Sequence, residues 1–167
     1  SVPLDWAHPA KGTLEVLISR IRATGTRLGI LETNPGGPGG AGFWMPLYLQ
    51  EVEPQVAEHY DLIGMDPRGV EASQPLECGG VDTLTKLYRL DGYDRSPRNV
   101  AKFLTYDQRE ANQCAADAMT PSINTDQTVR DVDLVRALLG QQKTSWLGYS
   151  AGTWMGAWYA TLFPSHV

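Results

Sequence analysis

Apolar and polar positions along the chain change period several times, and each change marks an element. Leu14 to Ala23 alternates, with Leu14, Val16 and Ile18 set against Glu15, Ser19 and Arg20. A period of two puts one face inward and one outward, so this stretch predicts a half-exposed antiparallel strand at a sheet edge. Turn chemistry brackets it, with Pro9-Ala10-Lys11-Gly12 before and Gly25-Thr26-Arg27 after. Leu28 to Glu32 and Tyr60 to Asp66 are short, mostly apolar runs, the pattern of more deeply buried strands. Between them, Phe43 to Val52 predicts a helix ended by Pro54. Glu71 to Pro97 reads as loop, punctuated by Pro75, Gly79, Gly80, Gly92 and Pro97. Asn99 to Met119 reads as a long polar helix carrying Phe103, Tyr106 and Cys114, broken at Thr120-Pro121-Ser122.

The clearest helical period lies in Asp126 to Leu139. Val129, Val132, Val135 and Leu139 form one stripe with Leu138 beside it. Thr125 or Asp126 offers a cap, and Gly140 sits just past the end. Ser145-Trp146-Leu147 then reads as a buried strand, followed by a helix that ends near Phe163-Pro164. Gly152, Gly156 and Ala160 recur every four residues, giving that helix a smooth face able to lie close on a sheet. Strands alternating with helices imply an α/β fold, a mostly parallel sheet with helices on both faces.

Composition narrows the class. At 167 residues the chain is one domain by length, with 42% hydrophobic and 20% charged residues. A net charge of −5 gives no reason to expect nucleic acid or an anionic membrane as partner. No apolar run is long enough to span a bilayer, so no transmembrane segment is expected. Ser1-Val2-Pro3-Leu4-Asp5-Trp6 has no signal-peptide pattern and reads like sequence from inside a protein. Two cysteines, Cys78 and Cys114, are compatible with two buried thiols or with a bond between them. Neither C-x-x-C nor H-x-x-x-H spacing occurs, so neither a metal nor another cofactor is expected.

Two stretches carry chemistry. Gly148-Tyr149-Ser150-Ala151-Gly152 matches G-x-S-x-G at the junction of a strand and a helix. A serine on so sharp a turn is held in a strained backbone with its hydroxyl exposed at the carboxyl edge of the sheet. Residues two before and two after it crowd each other, a demand that Gly148 and Gly152 meet. The following helix aims free N–H groups and its positive dipole end at the same spot, where an anionic tetrahedral intermediate would be stabilised. The second stretch, Thr33 to Gly42, has five glycines in its last seven residues and follows a strand. It is no phosphate loop, because no Gly-Lys-Ser/Thr follows. It fits a dinucleotide loop poorly, because Pro38 removes an N–H donor and no acidic residue closes a second strand at the right distance. A loop of this kind after a strand is instead where half of an oxyanion hole is built. Asp66, in Asp66-Pro67-Arg68-Gly69, could be a catalytic acid, but a turn-forming ion pair with Arg68 is the expectation.

With these in order, the chain resembles the α/β-hydrolase serine peptidases of the prolyl iminopeptidase and tripeptidyl aminopeptidase family, especially the secreted actinobacterial type. The resemblance is carried by Val2 to Trp6, Asn34 to Gly42, Tyr60 to Val70, Thr128 to Gly140 and Leu147 to Ala160. It implies an α/β-hydrolase fold with Ser150 as acyl nucleophile and Gly37 and Ala151 as oxyanion-hole donors. It also implies a Cys78–Cys114 disulfide, a peptide substrate attacked near its N-terminus, and a secreted or cell-envelope location. A carboxylesterase on the same fold and a non-catalytic binding module are the rival readings. In this family the acid and histidine follow the serine. Only seventeen residues follow Ser150. His166 is expected on the surface, and His8 and His59 have no family counterpart as bases. Residues 1–167 are therefore expected to be the N-terminal part of the catalytic domain. The remaining strands, cap, acid and histidine would come from a C-terminal segment of the same precursor.

Overall fold

Turn chemistry and apolar period set the elements of the computed structural model, which describes residues 1–78 and 80–167. In chain order these are β1 (Val2–Pro3), β2 (Thr13–Leu14), β3 (Ile18–Ile21), β4 (Gly29–Asn34), α1 (Met45–Val52), α2 (Pro54–His59), β5 (Tyr60–Met65), α3 (Gly80–Tyr88), α4 (Pro97–Ala116), α5 (Thr125–Leu138), β6 (Ser145–Gly148) and α6 (Ala151–Leu162). They fall into two bodies, Ser1–Pro75 with Ser122–Val167, and Leu76–Pro121.

The first body is built on a four-stranded sheet of order β3-β5-β4-β6. β3 runs antiparallel to β5, whereas β4 is parallel to both β5 and β6. The period of two sorts its side chains onto two faces. Ile30, Ile63 and Met65 pack on one face against Val129, Val132 and Val135 of α5 and Tyr159 of α6. Leu31 and Leu62 pack on the other against Met45, Leu49 and Ala57 of α1 and α2. Helices thus cover both faces, and each fully buried Val, Leu or Ile contributes about 1.5–3 kcal/mol of transfer free energy. The α5 stripe is the one its sequence predicts. Its cap is Asn124, whose side chain accepts a 3.0 Å bond from the Gln127 N–H, in place of Thr125 or Asp126. Gly156 of α6 presses on the Trp146 ring of β6, so that helix does lie close on the sheet.

Three stretches differ in kind from the sequence pattern, beyond shifts of a few residues at element ends. The stretch from Leu14 to Ala23 is two strands, β2 pairing with β1 in a separate ribbon and β3 joining the main sheet. The break comes where the Glu15 and Leu17 N–H groups bond to Gln74 Oε1 and Ser73 Oγ, side chains of the loop after β5. Pro54, which reads as a stop, opens α2, since proline is well placed at a first helical turn that lacks an N–H partner. The stretch from Glu71 to Pro97 contains the helix α3. The loop reading at Gly79 lies outside the described residues.

In the second body, α4 begins at Pro97 behind Ser96, whose hydroxyl accepts from the Asn99 N–H at 3.3 Å. The Asn99 amide in turn donates to the carbonyls of Asp91 and Asp94 at 2.7 and 2.9 Å, closing the loop before the helix. A disulfide joins Cys78 to Cys114, 36 residues apart, across the start of α3 and the end of α4. Among the described residues no helix is long and apolar enough to cross a membrane.

Candidate active site

Ser150 stands where β6 ends and α6 begins, as the N-cap of α6, with φ 49° and ψ −123°. A non-glycine residue at positive φ is strained, and the strain persists only where the surroundings enforce it. Here they do. The Tyr149 N–H donates to the Asn34 carbonyl of β4 at 3.0 Å, and the Gly152 N–H donates to the Tyr149 carbonyl at 2.7 Å. The Thr153 N–H and hydroxyl both donate to the Ser150 carbonyl, at 3.0 and 2.6 Å. Gly148 and Gly152 face each other so closely that a Cβ on Gly148 would collide with the Gly152 carbonyl. A Cβ on Gly152 would lie 2.6 Å from the Asn34 carbonyl oxygen. The Ser150 side chain is left exposed above the N-terminus of a twelve-residue helix.

The glycine-rich loop leaves β4 directly beside this turn. The Asn34 side chain accepts from the Gly36 N–H at 2.8 Å, an Asx-turn that bends the chain back on itself. Gly40 N–H then closes on the Gly36 carbonyl at 2.8 Å. Gly36, at φ 94°, is pressed onto the elbow: a Cβ there would sit 2.9 Å from the Ala151 nitrogen and 3.0 Å from the Ser150 Cβ. The structure therefore brings Ser150, Ala151 and the Gly36-Gly37 segment together at one sheet edge. An oxyanion formed at Ser150 would meet the Ala151 N–H, the loop's backbone and the helix dipole. Gly37 follows at φ 118°.

The Asp66-Pro67-Arg68-Gly69 turn lies at the same edge, but the expected Asp66–Arg68 ion pair is absent. Asp66 accepts from the Phe43 N–H at 2.9 Å, and Arg68 turns inward. The buried Arg68 guanidinium forks onto both oxygens of Asp131 at 2.7 and 2.6 Å. Its remaining N–H groups reach the Leu4, Ser122 and Pro3 carbonyls at 2.8, 3.2 and 3.1 Å. The Trp6 indole adds a 2.8 Å bond to Asp131. All five guanidinium donors are used, so Arg68 ties the N-terminal strand to α5 and offers no charge to a ligand. Asp131 sits between Val129 and Val132 on a buried stripe. That position was the one sequence signal for a buried partner.

The three histidines hold other posts. His8 bonds to Asp5 at 2.7 Å and His59 to the Thr26 carbonyl at 3.0 Å. His166 is not simply on the surface: it is half-buried, stacked on Phe163 and bonded to Asp133 at 2.6 Å. Its carbonyl accepts from the Thr144 N–H, at the opposite end of β6 from Ser150. At about 3.3 Å per strand residue that puts it roughly 15–20 Å away, too far to act as base.

One group near the site escapes the sequence reading. Glu32, two residues before Asn34 on β4, is buried in the sheet face under α5 and α6. Burial pushes its carboxyl up to about 8, although the neighbouring Thr144 works the other way. Its Oε2 has no partner.

The chain has relatives among known proteins. Residues 33–167 match the profile of a family described as alpha/beta hydrolase fold. Over its whole length the chain is 38% identical to a tripeptidyl aminopeptidase of Streptomyces lividans, spanning 33% of that protein. It is 35% identical, again over its whole length, to serine protease Hip1 of Mycobacterium tuberculosis and spans 33% of it. Over 81% of the chain it is 35% identical to a carboxylesterase B of the same organism, spanning 27% of that protein. The chain thus spans about a third of the length of the curated relatives it matches.

Proposed function

The chain belongs to the α/β-hydrolase fold family, and from that premise we propose that it carries the nucleophile and oxyanion hole of a serine peptidase that cleaves near the N-termini of peptides. The observation that supports this most is Ser150, an exposed serine held at positive φ between β6 and α6 with the Gly36 loop packed against it. In this reading the Ser150 hydroxyl attacks the scissile carbonyl, and the Gly37 and Ala151 N–H groups hold the oxyanion. An acyl-enzyme forms and is then hydrolysed. The base, its acid, the cap and further strands come from a C-terminal segment of the same precursor, pairing along the outer edge of β6. The similarity to a tripeptidyl aminopeptidase favours peptides as substrates. The Cys78–Cys114 disulfide supports a secreted or envelope location, since such bonds persist in oxidising compartments.

Ser150→Ala in the complete protein tests the assignment. Turnover should fall by about 10⁴-fold or more with the thermal transition unchanged. A variant retaining most of wild-type turnover overturns it. A second reading, a carboxylesterase, is favoured by the similarity to carboxylesterase B. Comparing kcat/KM on peptide anilides and simple esters separates the two.

A further inference from the structure

Glu32 stands on β4 two residues before Asn34, so the two share the sheet face that α5 and α6 cover. Both line one cavity of about 10 Å³, whose other walls include Ile63, Val132, Met155 and the Trp146 ring. Glu32 is 4% exposed, and its Oε2 has no partner. We propose that Glu32 is a positioning residue of the serine site: its protonated carboxyl leaves the oxyanion loop and the serine turn in place, and loss of that proton slows attack by Ser150. The inference rests on the reading of Ser150 as nucleophile.

Space argues first. The cavity is at the lower limit for a single water, so it cannot hydrate a carboxylate. The nearby cation, Arg136 of α5, is bonded to both oxygens of Asp133 at 2.8 and 3.2 Å and to the Gln141 carbonyl. Asp133 adds a like charge, and its Oδ1 already accepts from the Tyr159 hydroxyl of α6 and is bonded to His166. The Thr144 hydroxyl donates to the Ser145 carbonyl at 3.0 Å. On β5, the residue in register with Glu32 is the apolar Ile63. Burial accordingly pushes the carboxyl up to about 8.

The donors that remain belong to the site. Trp146, in register with Glu32 on β6, donates its indole N–H to the Gly152 carbonyl at 3.0 Å, in the first turn of α6. The Asn34 side chain holds the Gly36 N–H at 2.8 Å, and its backbone carbonyl holds the Tyr149 N–H at 3.0 Å. An ionised Glu32 draws on the Asn34 amide or on the indole, and either movement loosens the Gly36 loop or the turn that presents Ser150. Charge acts in the same direction. Ser150 lies four residues beyond Trp146. The carboxylate and a developing oxyanion would then be roughly 10–13 Å apart. At an effective dielectric of about 20, their repulsion slows the attack about tenfold.

The rate at which a fluorophosphonate labels Ser150 in the complete protein tests this. The probe carries no amine, so its rate is free of the titration of a peptide N-terminus. A serine activated by histidine alone reacts at a rate that rises through the histidine range and levels off above about pH 7.5. The wild type should instead lose about tenfold or more between about pH 7 and about pH 9.5, and recover it on return. Glu32→Gln and Glu32→Leu, neither of which ionises, should stay level over the same range. Circular dichroism at each pH restricts the comparison to folded protein. The infrared band of a protonated carboxyl should fade in the wild type over the range in which labelling falls. A level wild-type profile, an equal loss in either folded variant, or a carboxyl band that persists while labelling falls overturns the proposal. A folded protein that is not labelled at any pH would overturn the reading of Ser150 as nucleophile instead.

Discussion

Ser150 and Glu32 are two residues held at a cost, for different reasons. Ser150 stores backbone strain that the surrounding hydrogen bonds enforce, the usual sign of a site where geometry serves chemistry. Glu32 is held against solvation. Burial dominates: Thr144 and Arg136 favour its charge and Asp133 disfavours it, but they do not offset the loss of solvation. The Tyr159 hydroxyl nearby is committed to Asp133 at 3.0 Å. With a folded value of about 8 against an ordinary 4.5, the folded state keeps the Glu32 proton over a range where the unfolded chain has released it. Stability from this group is therefore full below pH 4.5 and is lost as pH rises toward 8, by about 4–5 kcal/mol in all. Glu32→Gln, which mimics the protonated acid, should remove that slope. Urea midpoints of the complete protein at pH 5 and pH 8 check it: the wild type should lose stability between them and the variant should not. Parallel curves would show that Glu32 is solvated or paired in solution.

At the scale of elements, two ties should dominate. Arg68→Met strands the Asp131 carboxylate in the core, a loss of about 3–5 kcal/mol. Arg68→Met with Asp131→Leu removes both charges and should recover part of it, as a double-mutant cycle on denaturation midpoints would read. A double variant no better than the single would mean that the three carbonyls bonded to Arg68 matter more than Asp131. The Cys78–Cys114 bond closes a 36-residue loop, worth about 3–4 kcal/mol in the chain-entropy model. Cys78→Ser with Cys114→Ser should lower the melting temperature of the second body, and intact mass without reduction should show the bond in the parent. These elements also show what sequence could reveal. The α5 stripe, the Gly148–Gly152 crowding and the glycine-rich loop were legible because local spacing alone dictates them. The pairing of Arg68 with Asp131 was not, since it joins residues 63 apart and only the fold sets their meeting. Nor was the interior place of Glu32, because its run reads as the end of a strand when β4 continues to Asn34.

For the whole molecule, the sheet poses the largest question. Among the described residues β6 pairs with β4 alone, so half of its backbone groups face outward along an open edge. Separately, α6 exposes Trp154 and Trp158, whose tilted rings lie 5.6 Å apart between centroids and are 60% and 36% accessible. An open strand edge recruits other chains, which is why native proteins cover such edges. Ser150 sits at the end of this same strand, so whatever pairs there also sets its height above the sheet. The proposal that a C-terminal segment of the same precursor adds strands here has two measurable consequences. In the complete protein, hydrogen exchange should protect every amide from Trp146 to Gly148, outward-facing ones included. Residues 1–167 expressed alone should aggregate or unfold without a cooperative transition, and should leave the outward amides unprotected. A soluble monomer of that length, melting cooperatively and showing the protection of the complete protein, would mean the edge needs no partner. The base for Ser150 would then have to reach it by a route other than strands added along β6.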